Sequence, residues 1–83
     1  MSSPAITMYG ADWCSDCRRA KTVLDASGVA YDYIDVDAVL EAAEAALAIS
    51  GRTSIPVIVF PDGTHQVEPS NADLEAKLRS LAP

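Results

Sequence analysis

Only two cysteines, one histidine, one tryptophan, one phenylalanine and six basic side chains occur among 83 residues. Six Lys and Arg against twelve Asp and Glu leave a net charge of -6. That balance repels a phosphate backbone, so nucleic acid is not an expected partner. Long apolar runs are also missing. The richest stretch, Ile55-Pro56-Val57-Ile58-Val59-Phe60, is far short of the ~20 residues that cross a bilayer, so no membrane partner is expected. The start, Met1-Ser2-Ser3-Pro4-Ala5-Ile6, has neither the basic stretch nor the roughly 7–15 apolar residues of a secretory signal, and a cytoplasmic protein is expected. With His65 as the one histidine, the chain cannot by itself complete the four-ligand set of a zinc site, so no metal is expected.

What is present fits one small folded unit spanning 1–83. Hydrophobic residues make up 49% and charged residues 22%, the balance of a folded chain rather than a disordered one. The core is thin, because a domain of this size buries only about 60–65% of its unfolded surface. No repeat, linker or low-complexity segment divides the chain, and a monomer is expected.

The β-prone segment Ala5-Ile6-Thr7-Met8-Tyr9 before Gly10 predicts a first strand. From Cys17 onward, Ala20, Val23 and Leu24 recur at helical spacing opposite Arg18, Arg19, Lys21 and Asp25, with Gly28 as the stop. Residues 29–36 are rich in β-branched and aromatic side chains and predict a second strand, completing a βαβ unit. Alanine dominates 38–50, where Val39, Leu40, Leu47 and Ile49 are the large apolar residues and Glu41 and Glu44 the wet face, before a stop at Gly51. Val57–Phe60 and Thr64–Val67 around Pro61-Asp62-Gly63 predict a hairpin whose glycine takes a positive φ. Ser70 stands three residues before Asp73 and opens a helix with Leu74, Leu78 and Leu81 on its apolar face. The order βαβαββα implies an α/β fold with a four-stranded mixed sheet and three helices.

Both cysteines fall in Trp13-Cys14-Ser15-Asp16-Cys17, between the first strand and the first helix. Three residues apart at a helix start, they lie close enough to open and close as a disulfide. Cys14, at the positive end of the helix, is the expected nucleophile, since unpaired N–H groups there favour a thiolate. Cys17, one turn further in, is expected to be more buried and to act as the resolving thiol. Asp12 and Asp16 oppose thiolate formation while Arg18, Arg19 and Lys21 favour it, so Asp16 is a candidate modulator. Trp13 is either packing at the strand end or one wall of a substrate groove. His65 reads as a solvated side chain.

This arrangement of Cys-x-x-Cys between strand and helix, followed by Ser54-Ile55-Pro56, resembles the thioredoxin fold in its short glutaredoxin form across essentially the whole chain. The resemblance implies a thiol-disulfide oxidoreductase. It also implies that Pro56 is a cis-proline facing the cysteine pair, with the backbone of Ile55 free to align a thiol substrate toward Cys14. Glutathione-using members carry a Gly-Gly pair ahead of the last helix, then a Ser/Cys-Asp that takes the glutamyl carboxylate. Here Glu68-Pro69 replaces the glycines, Asp73 is carried over as a substrate-binding residue, and Ala11-Asp12-Trp13 replaces the usual lysine.

Within that family the motif, the Tyr31–Asp37 stretch and the Glu68–Leu74 segment are most similar to the mycoredoxin branch. That resemblance implies mycothiol as co-substrate, no bound cofactor, and mycothiolated or disulfide-bonded proteins as partners. Ser15-Asp16 departs from that branch, whose middle residues are more often Gly or Pro and an aromatic. A general protein-disulfide reductase supplied by a flavin disulfide reductase of the thioredoxin reductase type therefore stays open. So does a dimer holding an iron–sulfur cluster through Cys14 of each chain.

Overall fold

A computed structural model describes residues 6–81. Four strands and three helices follow in the order β1 (Ile6–Gly10), α1 (Ser15–Ala26), β2 (Tyr31–Asp35), α2 (Leu40–Ser50), β3 (Val57–Val59), β4 (His65–Val67) and α3 (Asn71–Leu81). The strands form one sheet in the order β2-β1-β3-β4. β1 runs parallel to β2, with Met8 opposite Tyr33, and antiparallel to β3, with Met8 opposite Ile58. β3 and β4 form the expected antiparallel hairpin, Ile58 opposite Gln66. The architecture is the expected four-stranded mixed sheet with three helices. Ala5, predicted at the start of the first strand, lies outside the described residues.

Alternation along β1 sends Ile6 and Met8 to one face of the sheet. There they join Ile58 and Phe60 from the hairpin, Cys17, Ala20, Val23 and Leu24 from α1, and Leu74 and Leu78 from α3 in one buried cluster. α1 and α3 pack together over it. Leu81, predicted on the apolar face of the last helix, packs at its edge. Val57 is also fully buried, and the pleat turns it away from Ile58.

Local chemistry sets the boundaries. Gly28 lies just past α1 with φ +70 and donates to Asp25, and Gly51 ends α2 with φ +72 and donates to Leu47. The second helix begins at Leu40 rather than Ala38, because the Asp35 carboxylate accepts the Asp37 N–H at 2.8 Å and holds the entering chain in a turn. Ser70 caps α3 by accepting the Asp73 N–H at 3.0 Å. No helix among the described residues is long and apolar enough to cross a membrane.

Candidate active site

The cysteine pair sits where β1 gives way to α1. Gly10 ends the strand inside the sheet, and Cys14 caps the helix with extended backbone (φ -83, ψ 116). Its sulfur accepts the Cys17 N–H at 3.3 Å, so Cys14 Sγ occupies the place that a capping oxygen fills elsewhere. Cys14 is partly exposed and Cys17 fully buried, and both are free thiols. Burial above all, with a contribution from the Cys14 sulfur, pushes the Cys17 thiol up to about 12. The two sulfurs therefore differ: one is partly exposed at the helix end, the other is held as a neutral thiol in the core.

Gly10 makes room for this. A Cβ there would lie 3.0 Å from Cys17 Sγ and 3.2 Å from the ring of Tyr33, tighter than packed atoms tolerate. Tyr33 in turn donates to Asp12 Oδ1 at 3.2 Å, and Lys21 Nζ lies 4.2 Å from the centre of its ring. Burial and the Asp12 carboxylate keep the Tyr33 phenol protonated well beyond its ordinary range. No local sequence signal marks Tyr33 for this place, because β2 brings it there only through the parallel register.

Across from the pair, the Ile55–Pro56 bond is cis, and Pro56 is buried ahead of β3. Cys14 Sγ approaches the Ile55 carbonyl at 4.0 Å. Among the described residues no backbone oxygen accepts the Ile55 N–H. Ile55 is also one wall of a groove of about 210 Å³ lined by Val36, Ala43, Leu47, Arg52 and Ser54. Glu44, read as part of a wet face, is exposed and also edges this groove.

Trp13 is 68% exposed, and its indole N–H donates to the Asp37 carboxylate. An exposed indole held by a hydrogen bond is not core packing, and Trp13 does not line the groove beside Ile55. Asp16 lies in the first turn of α1 and pairs with Arg19 at 3.2 Å. Asp73 is exposed in the first turn of α3, and its contacts are made by its backbone. The structure thus brings Cys14, Cys17 and Ile55 together, with Trp13 and Asp16 next to the cysteines in the chain and Pro56 next to Ile55, while Asp73 makes no hydrogen bond to either cysteine. His65 is exposed on β4. Among the described residues no three His, Cys, Asp or Glu side chains converge as a metal site.

A glutaredoxin family model matches residues 6–66. Mycoredoxin 1 of Corynebacterium glutamicum is 40% identical over 78 residues, 93% of this chain and 96% of the relative. Among solved structures, the glutaredoxin of Archaeoglobus fulgidus superposes with a TM-score of 0.76 at 30% identity, over 93% of this chain and 84% of that one. The glutaredoxin-like NrdH-redoxin of Escherichia coli does so with 0.76 at 29%, over 94% and 95%. With a Cys-x-x-Cys pair at the start of α1 and the match extending over most of its length, the chain belongs to the glutaredoxin family and is a thiol-disulfide oxidoreductase of the glutaredoxin type.

Proposed function

We propose that the protein reduces mixed disulfides between proteins and mycothiol, with Cys14 as the attacking sulfur. The observation that carries this reading is the division of the pair, Cys14 open at the helix end and Cys17 buried as a neutral thiol. The similarity to Mycoredoxin 1 supports the choice of thiol.

The Cys14 thiolate attacks the mycothiol-side sulfur of the mixed disulfide. The protein leaves as a thiolate and takes a proton from water, and Cys14 carries mycothiol. A second mycothiol thiolate then attacks the bound mycothiol sulfur, releasing mycothiol disulfide and restoring the Cys14 thiolate. Ile55 offers its unpaired N–H and Trp13 an exposed indole as flanks for the incoming disulfide, and Asp73 stands at the start of α3 for a polar end of the thiol.

A second reading has its own support. Cys17 lies one turn from Cys14, so an internal disulfide reopened by a flavin disulfide reductase is within reach, and the NrdH-redoxin similar in shape is described as having a thioredoxin-like activity profile. Two coupled NADPH assays decide, one with mycothiol and its reductase, the other with thioredoxin reductase alone. Turnover in the first is expected, abolished by Cys14→Ala and retained in good part by Cys17→Ala. Turnover confined to the second assay, with equal loss in both variants, would overturn the mycothiol reading.

A further inference from the structure

We propose that Arg19 is a positioning residue for the thiol chemistry: its guanidinium offsets the Asp16 carboxylate between the two cysteines and ties the first turn of α1 to the segment that opens α3. The inference rests on Cys14 being the attacking sulfur.

Arg19 uses both ends of its fork. Nη2 donates to Asp16 Oδ1 at 3.2 Å, while Nη1 donates to Asn71 Oδ1 at 2.6 Å and to the Pro69 carbonyl at 3.3 Å. Pro69 is buried, so one end of the fork reaches a fixed point of the fold. A planar guanidinium anchored this way holds its other end in place, which a lone surface pair does not do.

Asp16 brings two opposed effects. In a first helical turn its negative charge suits the helix dipole, yet two residues along the chain from the sulfur that must become negative it works against that charge. A cation fixed against the carboxylate keeps the first effect and offsets the second. The neighbouring charges do not duplicate this. Arg18 donates to the Asp12 carbonyl at 2.7 Å, Asp12 accepts from Tyr33, Lys21 lies over the Tyr33 ring, and Asp37 accepts from Trp13. Arg52 stands on the segment before Ile55, and Glu68 and Asp73 flank the α3 cap. Among the described residues Arg19 is the cation that pairs with Asp16.

The test is the second-order rate of Cys14 alkylation by iodoacetamide, an uncharged reagent, at neutral pH and low salt. Arg19→Met is expected to slow it about two- to fivefold, the scale of one well-held exposed charge pair. Arg19→Lys, which keeps the charge but not the fork, regains only part of the rate. Asp16→Asn added to Arg19→Met returns it to the starting value or above. Thermal unfolding is followed in parallel, and Arg19→Gln serves if Arg19→Met does not fold. An unchanged rate in Arg19→Met, or a loss as large in the Asp16→Asn background, would overturn the proposal and leave Arg19 a structural tie. Cys14→Ser keeps the two readings apart: rapid alkylation persisting in that variant would instead remove Cys14 as the attacking sulfur.

Discussion

Cys17 is the residue whose surroundings constrain the catalytic cycle most. Its sulfur is fully buried, and burial outweighs every other influence in raising its thiol to about 12. The repulsion from a Cys14 thiolate disappears once Cys14 carries a disulfide, but the burial remains. Because the thiolate is the attacking species, closure of Cys17 onto a Cys14 mixed disulfide is expected to climb about tenfold per pH unit from 7 to 9 without levelling off. Stopped-flow release of a chromogenic thiol from the trapped mixed disulfide measures this directly. A plateau near the ordinary thiol value of about 8.5 would mean that the attacking Cys17 is solvated, and would favour the dithiol cycle.

At the scale of elements, the hairpin is fastened to α3 through one carboxylate. Asp62 accepts the Thr64 N–H at 3.0 Å and its hydroxyl at 2.6 Å, and pairs with Lys77 at 2.7 Å, while Lys77 also lies 5.4 Å from the centre of the Phe60 ring. Lys77 first, then Thr64, holds the Asp62 carboxyl well below the usual carboxylate range. A carboxyl held low in the fold contributes stability above its unfolded value of about 3.9, and the contribution is lost as pH falls through the folded value. Asp62→Asn is therefore expected to lower the Tm near neutral pH, with the difference from wild type shrinking as pH falls below about 3. A Tm difference that is constant with pH would assign the loss to the turn alone.

The elements were legible in the sequence where their signals are local. Glycines 28, 51 and 63 all take the positive φ that their places after a helix or in a turn require, and the Cys14-x-x-Cys17 spacing sufficed to place the pair at a helix start. The buried face of α2 was not legible. Its segment is so rich in alanine that no stripe stands out, and the structure buries Ala42 and Ala46 while leaving Leu40 and Leu47 exposed. The site was legible in the same proportion. Cys14, Cys17 and Asp16 are neighbours in the chain, whereas only the family resemblance links the distant Pro56 to them. The Arg19–Asn71 contact joins residues 52 apart that no periodicity connects.

For the whole molecule, the net charge of -6 acts on any protein that must bring a disulfide to Cys14. Asp12 and Asp37 lie exposed around the motif, the first with its carboxylate accepting from Tyr33 and the second from Trp13, and neither is paired with a cation among the described residues. Charges of one sign around an open site speed the encounter of opposite charge and slow that of like charge, and the effect reaches about 20 Å at 20 mM salt but only about 7 Å at 200 mM. Peptides carrying a mixed disulfide flanked by lysines are therefore expected to lose about two- to tenfold in kcat/KM between those salt concentrations, and glutamate-flanked ones to gain. An uncharged small disulfide should show almost no change, which separates steering from an effect of salt on the thiol itself. Parallel salt dependence for all three substrates would mean that the field acts on Cys14 rather than on the approach of its partner.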